Sequence, residues 1–294
     1  MRFPPALPCH WRAHAFAAAL AVALAGETAV GAPAPRAAKA PEELINWYYS
    51  AAFGTGFYTS GDRTVTVVQL PFAYTLPAPE HAATRITLKL PVSFGFYDLE
   101  LGTLSDGDLP QSLSTLSVLP GAEAGIRLSP ALELRPFAYA GFGWELDGRD
   151  SAFIYHLGIK ARWKPPLRGP NLMLGAGLNH AAYRAQDGGF RPLTQLVLGV
   201  SSAFPTQGTI GGVPADLGLH LIYYRYLTPL DYPVAGNVAK QLRNEVEFAL
   251  SIGTRGPLKL RAFGRHLVNF DLVGLAFRVG EDVNAIRLFF SLPY

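Results

Sequence analysis

Ionisable side chains recur at alternate positions along this chain, and that spacing decides what chemistry they can do. Glu123 and Arg127, Glu133 and Arg135, Glu245 and Glu247, and His156, Lys160 and Arg162 are each separated by even steps. Together with Lys89 and Arg287 they stand opposite runs of Leu, Ile, Val and Phe. In an extended chain, even spacing puts side chains on one face. A face of mixed charge suits two kinds of work. It can line a polar pore whose charges select solutes, or its groups can pair across a narrow space, where an unpaired charge is costly. Neither sign prevails, so a weakly selective or closed channel is expected over a strongly ion-selective one.

Catalytic parts are scarcer. A serine hydrolase needs a serine within reach of a histidine that a third group orients. Ser50, Ser151 and Ser201 are available, none within a glycine-flanked nucleophile elbow. Glu145, Asp147 and Asp150 with His156 come nearest to an acid-histidine cluster, and a solvated acidic loop explains them more simply. His180 and His220 stand on separate segments and are expected as hydrogen-bonded structural groups, with no metal. The Gly211-Gly212 pair reads as a turn, and no glycine-rich phosphate loop ending in Lys-Ser/Thr occurs. Lys259, Arg261, Arg265 and His266 would meet anionic head groups or sit in a solvated turn, and the turn is preferred. The expectation is a protein that is not an enzyme and uses no cofactor.

The elements that must position these groups read as strands. From Arg85 to Tyr97, Ile86, Leu88, Leu90, Val92, Phe94 and Phe96 share one face; Lys89, Ser93 and Gly95 share the other. A helix would scatter that apolar set around its circumference. The same period recurs over 46–58, 64–76, 84–97, 113–128, 132–146, 151–163, 171–184, 193–204, 215–226, 243–254, 267–280 and 284–294, twelve segments in all. Residues 255–266 could add a thirteenth, but an even number returns both ends to one side, so they are assigned to an irregular basic connection. The longer connections fall at 98–112 and 227–242.

Alternation fits a soluble barrel with its apolar face inward, or an outer-membrane barrel with that face toward lipid. Glycines and isolated charges opposite the apolar face suit a lumen. The segments are long for a soluble sheet. Aromatic residues crowd segment ends at Trp47-Tyr48-Tyr49, Phe57-Tyr58, Trp144, Trp163 and Tyr223-Tyr224-Tyr226, where membrane girdles would lie. The expected fold is therefore all-β, a transmembrane antiparallel up-and-down barrel of about twelve strands. Such a barrel encloses a backbone cylinder about 24 Å across, leaving a channel of ~10 Å or none.

Composition agrees. Of 294 residues only 16% are charged while 49% are hydrophobic, yet no apolar run is long enough for a membrane helix. Arg2 and Arg12, the apolar stretch Ala15 to Ala25 and the Ala23-Leu24-Ala25 pattern have the order of an export signal peptide over 1–25. Cleavage after Ala32 would place Pro33 next to the cut, so Ala25 is preferred. Residues 26–45 then form a short Ala/Pro-rich lead-in and 46–294 the barrel. Cys9, the single cysteine, leaves with the signal, which excludes disulfides and thiol chemistry from the mature chain. Without residues 1–25 the charge is near neutral, giving no reason to expect nucleic acid.

Ile286, Leu288, Phe290, Leu292 and Tyr294 alternate to an aromatic last residue, in the form of the insertion signal that outer-membrane barrels present to their assembly machinery. Gly54-Thr55-Gly56-Phe57-Tyr58, Leu70 to Leu76, Leu90 to Phe96, Leu134 to Gly141, Tyr223 to Tyr226 and Asn284 to Phe290 complete the pattern. In these segments the chain resembles the solitary outer-membrane autotransporter β-barrel proteins of Gram-negative bacteria. The resemblance implies an autotransporter-like barrel without a passenger, set as a monomer in outer-membrane lipid and lipopolysaccharide. Its one expected protein partner is the barrel-insertion machinery. The alternatives are a barrel hydrolase acting on lipid or peptide, and a soluble periplasmic barrel binding an apolar ligand.

Overall fold

A computed structural model describes Trp47 and residues 53–294, apart from 61–62, 80, 98–114, 147–149, 168–170, 186–188, 234–238, 263–264 and 282. The expected signal peptide, the lead-in and the 98–112 connection lie outside the described residues.

The elements are β1 (Gly56–Ser60), β2 (Arg63–Thr75), β3 (Thr84–Tyr97), β4 (Thr115–Val118), β5 (Gly121–Arg127), β6 (Leu132–Glu145) and β7 (Ser151–Trp163), followed by β8 (Asn171–Ala185), β9 (Arg191–Ile210), β10 (Val213–Pro233), β11 (Ala239–Ala262), β12 (Arg265–Gly280) and β13 (Val283–Phe289). Segments β4 and β5 occupy one position between β3 and β6, so thirteen segments fill twelve places. They are separated at Leu119-Pro120, where proline has no N–H to give the ladder. The neighbours compensate there: the Leu119 N–H donates to Pro91 O at 3.1 Å, and the Ala140 N–H donates to Pro120 O at 3.0 Å. Counting β4 and β5 as one stave, each stave pairs antiparallel with its sequence neighbour, and β1 pairs with β13. The sheet closes on itself as a twelve-stranded antiparallel barrel.

Two faces follow from the period of two. Ile86, Leu88 and Leu90 on β3, Phe248, Leu250 and Ile252 on β11, and Leu275 and Phe277 on β12 are exposed on the outer surface. Their neighbours Ser93, Glu123, Glu247, Ala249, Ala276 and Arg278 are buried inside. The core of this fold is its lumen, where buried charged and polar groups lie among buried aromatic and aliphatic side chains such as Tyr58, Val67, Ile154 and Ile222.

Five expectations need correction. The first strand was expected over 46–58, but β1 is only Gly56–Ser60, and Trp47 is buried against Gly143 of β6 and Ile154 of β7. Trp47, Tyr58, Tyr224 and Tyr226 are therefore inside the barrel and do not belong to a girdle; Trp144 does face outward. The described residues of 255–266 belong to strands already counted, with Arg265 and His266 opening β12. Through Ala262 they prolong β11, which pairs with β12 beyond a register shift between Gly253 and Leu258. Such an irregularity breaks the alternation that marks a strand in sequence. Much of the expected 227–242 connection is likewise strand, in β10 and β11. Finally, the last strand stops at Phe289. Ile286 and Leu288 face outward, whereas Leu292 and Tyr294 are buried. The alternation from Ile286 to Tyr294 thus does not mark one continuous face.

With the β5–β6 turn, the Gly211-Gly212 turn and residues 290–294 drawn at the lower end, β9, β10 and β11 run 20, 21 and 24 residues, against 13 to 15 for β6 to β8. The extra length extends past the wall, and Phe204 to Ile210 are exposed. Gly211 and Gly212 reverse the chain there with φ of 58° and 80°, values that a hairpin turn of this kind requires.

Candidate functional site

The charged face of the strands builds two separate clusters on facing walls. On the wall of β3, β5, β6 and β7, Glu123 is the hub. Lys89 Nζ donates to Glu123 Oε2 at 3.0 Å, and Lys160 Nζ lies 3.6 Å from the same oxygen. Arg135 pairs with Glu123 Oε1. Its Nε stands 4.0 Å from Glu133. Lys160 also sits 5.1 Å above the Phe137 ring. Three cations thus share one buried carboxylate.

The wall of β10 to β13 is balanced instead. Arg278 Nε donates to Glu247 Oε2 at 2.9 Å, and its Nη1 donates to Glu245 Oε2 at 3.1 Å. Arg287 Nη1 donates to Glu247 Oε2 at 2.5 Å and to the Tyr224 hydroxyl at 3.3 Å. The Tyr226 hydroxyl donates to Glu245 at 2.5 Å, and the Arg278 guanidinium lies 3.9 Å from the Tyr224 ring centre. All these groups are almost fully enclosed. Charges removed from water this completely persist because each has an opposite charge and further hydrogen bonds.

A third constellation lies at the lower end. Residues 290–294 leave β13 and cross to the opposite wall. The Tyr294 ring lies where a Cβ on Gly175 of β8 or Gly199 of β9 would stand. The Tyr294 hydroxyl meets Ser201 Oγ. Ser201 Oγ lies 2.6 Å from His220 Nδ1, and His220 Nε2 lies 2.7 Å from Ser251 Oγ. Arg162 Nε holds the Tyr294 backbone oxygen at 2.7 Å. Phe289 meets the edge of His220 at 5.8 Å. A serine on a histidine is the pair a hydrolase uses, but here the phenol fills the space before the hydroxyl where a substrate carbonyl would bind. Four β-strands and a tail therefore share one hydrogen-bonded lock.

The structure places the sequence candidates as follows. Lys89, Glu123, Arg135 and Lys160 are brought together, as are Glu245, Glu247 and Arg287. Arg127 and Glu133 lie at the lower mouth, with Arg162 beside them. His156 faces inward among aromatics, 4.8 Å edge-on to Phe137 and 5.9 Å from Tyr139. It is remote from Glu145 and Asp150, which belong to the upper β6–β7 turn, so these residues form no cluster; Asp147 lies outside the described residues. His180 is on the outer face, bonded to Thr194 at 2.9 Å and to Tyr155 at 3.3 Å. Among the described residues no group of His, Cys, Asp and Glu could hold a metal.

Sequence reasoning did not single out Arg278 or the tail lock. Arg278 carried a signal, since Gly274, Ala276 and Arg278 alternate with Val273, Leu275, Phe277 and Val279. The lock carried none, because its members come from β7, β8, β9, β10, β11 and the tail.

Fold and lumen together define a closed twelve-stranded β-barrel whose interior is occupied by its own side chains. Compared with family models the chain finds no match, and compared with curated proteins it finds none either.

Proposed function

We propose that this chain forms an integral outer-membrane β-barrel, autotransporter-like, that stands closed at rest. The observation carrying the reading is the outer surface. Large apolar residues alternate on strand after strand, with Leu275 60% and Phe248 59% exposed. Soluble proteins rarely leave contiguous apolar surface larger than a few hundred Å², and a belt around a closed barrel far exceeds that. Lipid would cover it. The inside gives the complementary support, because the buried charges Glu123, Glu245, Glu247, Arg278 and Arg287 all lie within the barrel, on the face opposite that apolar belt.

The closed state rests on the occupants of the lumen: Trp47 against β6 and β7, the two charge clusters, and Tyr294 across the lower end. In this reading the clusters hold the walls together and the barrel acts as a structural surface protein. Expression in a Gram-negative host followed by separation of the membranes tests the location. Recovery with the outer membrane, resistant to alkaline extraction, is the expected result; recovery as a soluble periplasmic protein overturns it. In a planar bilayer the inserted protein should be silent, and steady conductance would replace the closed barrel with an open pore.

A further inference from the structure

We propose that the lower end of the lumen holds a binding site for a para-hydroxyphenyl carboxylate, and that the chain's own Tyr294 is its resident occupant. The inference stands on the fold and needs no membrane. Every part of the seat belongs to the wall. Gly175 of β8 and Gly199 of β9 are paired directly across the ladder, so the sheet is bare on both strands at one level. The Tyr294 ring fills the space that a Cβ on either glycine would take. Beyond the ring, Ser201 of β9 meets the phenol hydroxyl. At the other end Arg162 of β7 donates to the Tyr294 backbone oxygen at 2.7 Å.

The seat recognises more than bulk. A flat ring on a bare patch fills the space by itself, and for that a phenylalanine would serve. Instead a buried relay runs from Ser251 through His220 to Ser201, one residue from each of β11, β10 and β9, and ends on the hydroxyl. A site built to hydrogen-bond a hydroxyl rejects the analogue that lacks it, because the buried partner is then left unpaired. Arg162 sets the second requirement, an acceptor oxygen, which a carboxylate meets most strongly. In 3-(4-hydroxyphenyl)propionate the ring and the carboxyl oxygens are spaced as the ring and backbone oxygen are in Tyr294. The ladder of β13 ends at Phe289, and Pro293 has no N–H with which to extend it. Tyr294 is thus held by ring, hydroxyl and backbone oxygen, contacts that a free molecule reproduces. Strands β7 to β11 keep the shape of the seat when the occupant changes.

Titration calorimetry on the folded full chain carrying Tyr294→Ala, in a maltoside detergent, tests this with 3-(4-hydroxyphenyl)propionate and 3-phenylpropionate. The phenol should bind about tenfold tighter than the phenyl analogue, the discrimination of one buried hydrogen bond. Adding Ser201→Ala should abolish that preference, and adding Arg162→Gln should weaken both compounds by about tenfold. The unsubstituted chain should bind the phenol more weakly than Tyr294→Ala, because its tail competes at the effective concentration of a short tether. Should Tyr294→Ala fail to fold, the unsubstituted chain with isotope-labelled tyrosine serves instead. Its Tyr294 ring resonance, identified by its loss in Tyr294→Phe, should move toward the solvent-exposed position as the phenol is added and stay in place with the phenyl analogue. Equal binding of the two compounds to Tyr294→Ala, equal affinity of the substituted and unsubstituted chains for the phenol, or a Tyr294 resonance that the phenol leaves unmoved overturns the site.

Discussion

Tyr294 lies against Gly199 on the far side of the lumen, four strands round the wall from the β13 that delivers it. The contact is possible only because the wall has no side chain at Gly199 or at Gly175 beside it. Two bare backbone positions make a shelf, and the aromatic ring rests on it. Ser201 and Arg162 then fix its hydroxyl and its backbone oxygen.

Filling that shelf should release the tail. Gly199→Leu or Gly175→Val is expected to lower stability by about 1–3 kcal/mol, the usual cost of overpacking, in urea unfolding. Either variant should also turn a silent barrel into a conducting one in a planar bilayer. Gly189→Ala, with no atom near the added carbon, should do neither. A silent bilayer record in both shelf variants would show that Tyr294 does not close the lumen.

The Arg278 cluster makes a second prediction. Arg278→Met leaves Glu245 and Glu247 facing each other with Arg287 alone, and should cost about 3–5 kcal/mol, as removal of one member of a buried ion pair does. Adding Glu245→Gln should recover a large part of the loss. If the double variant were as unstable as the single one, packing of Arg278 on Tyr224 would outweigh its charge.

The two faces of β3 give a third. Leu90→Arg should lower stability in lipid vesicles by roughly 2–4 kcal/mol for a site near the bilayer midplane. Lys89→Leu should cost less, because Glu123 retains Arg135 and Lys160. The opposite ranking would reverse inside and outside.

Much of this fold is legible because β-strand alternation is local. Leu90 and Lys89 declare their faces from neighbours alone, and most of the alternating runs form strands, as at Thr84–Tyr97 and Ser151–Trp163. Pairings are different. Lys89 meets Glu123 through the register between β3 and β5, and nothing in either segment encodes the other. Ser201 and His220 are neighbours only because β9 and β10 pair residue by residue from the Gly211-Gly212 hairpin, shifting register near Pro214. The tail misled for a physical reason. Leu292 and Tyr294 continue the alternation of Ile286 and Leu288, yet Pro293 lacks the N–H that a further ladder step needs. Likewise the continuation of β11 past Gly253 was hidden by the register shift that follows it. Charge balance read along the chain concealed the basic wall, since only closure of the sheet decides which charges face which.

Closure itself has an order. Every neighbouring pair in the wall is consecutive along the chain except β13 with β1, joined by five residue pairs from Gly56↔Arg287 to Ser60↔Val283. Contacts between such distant segments form late, after local hairpins have reduced the cost of bringing them together. The short stave β1 is therefore the keystone, set last. Arg287 sits in that joint while also reaching Glu247 and Tyr224. Glu247 receives Arg287 across β12 once β11, β12 and β13 pair in sequence, so the charges of that wall can be neutralised before β1 seals the ring.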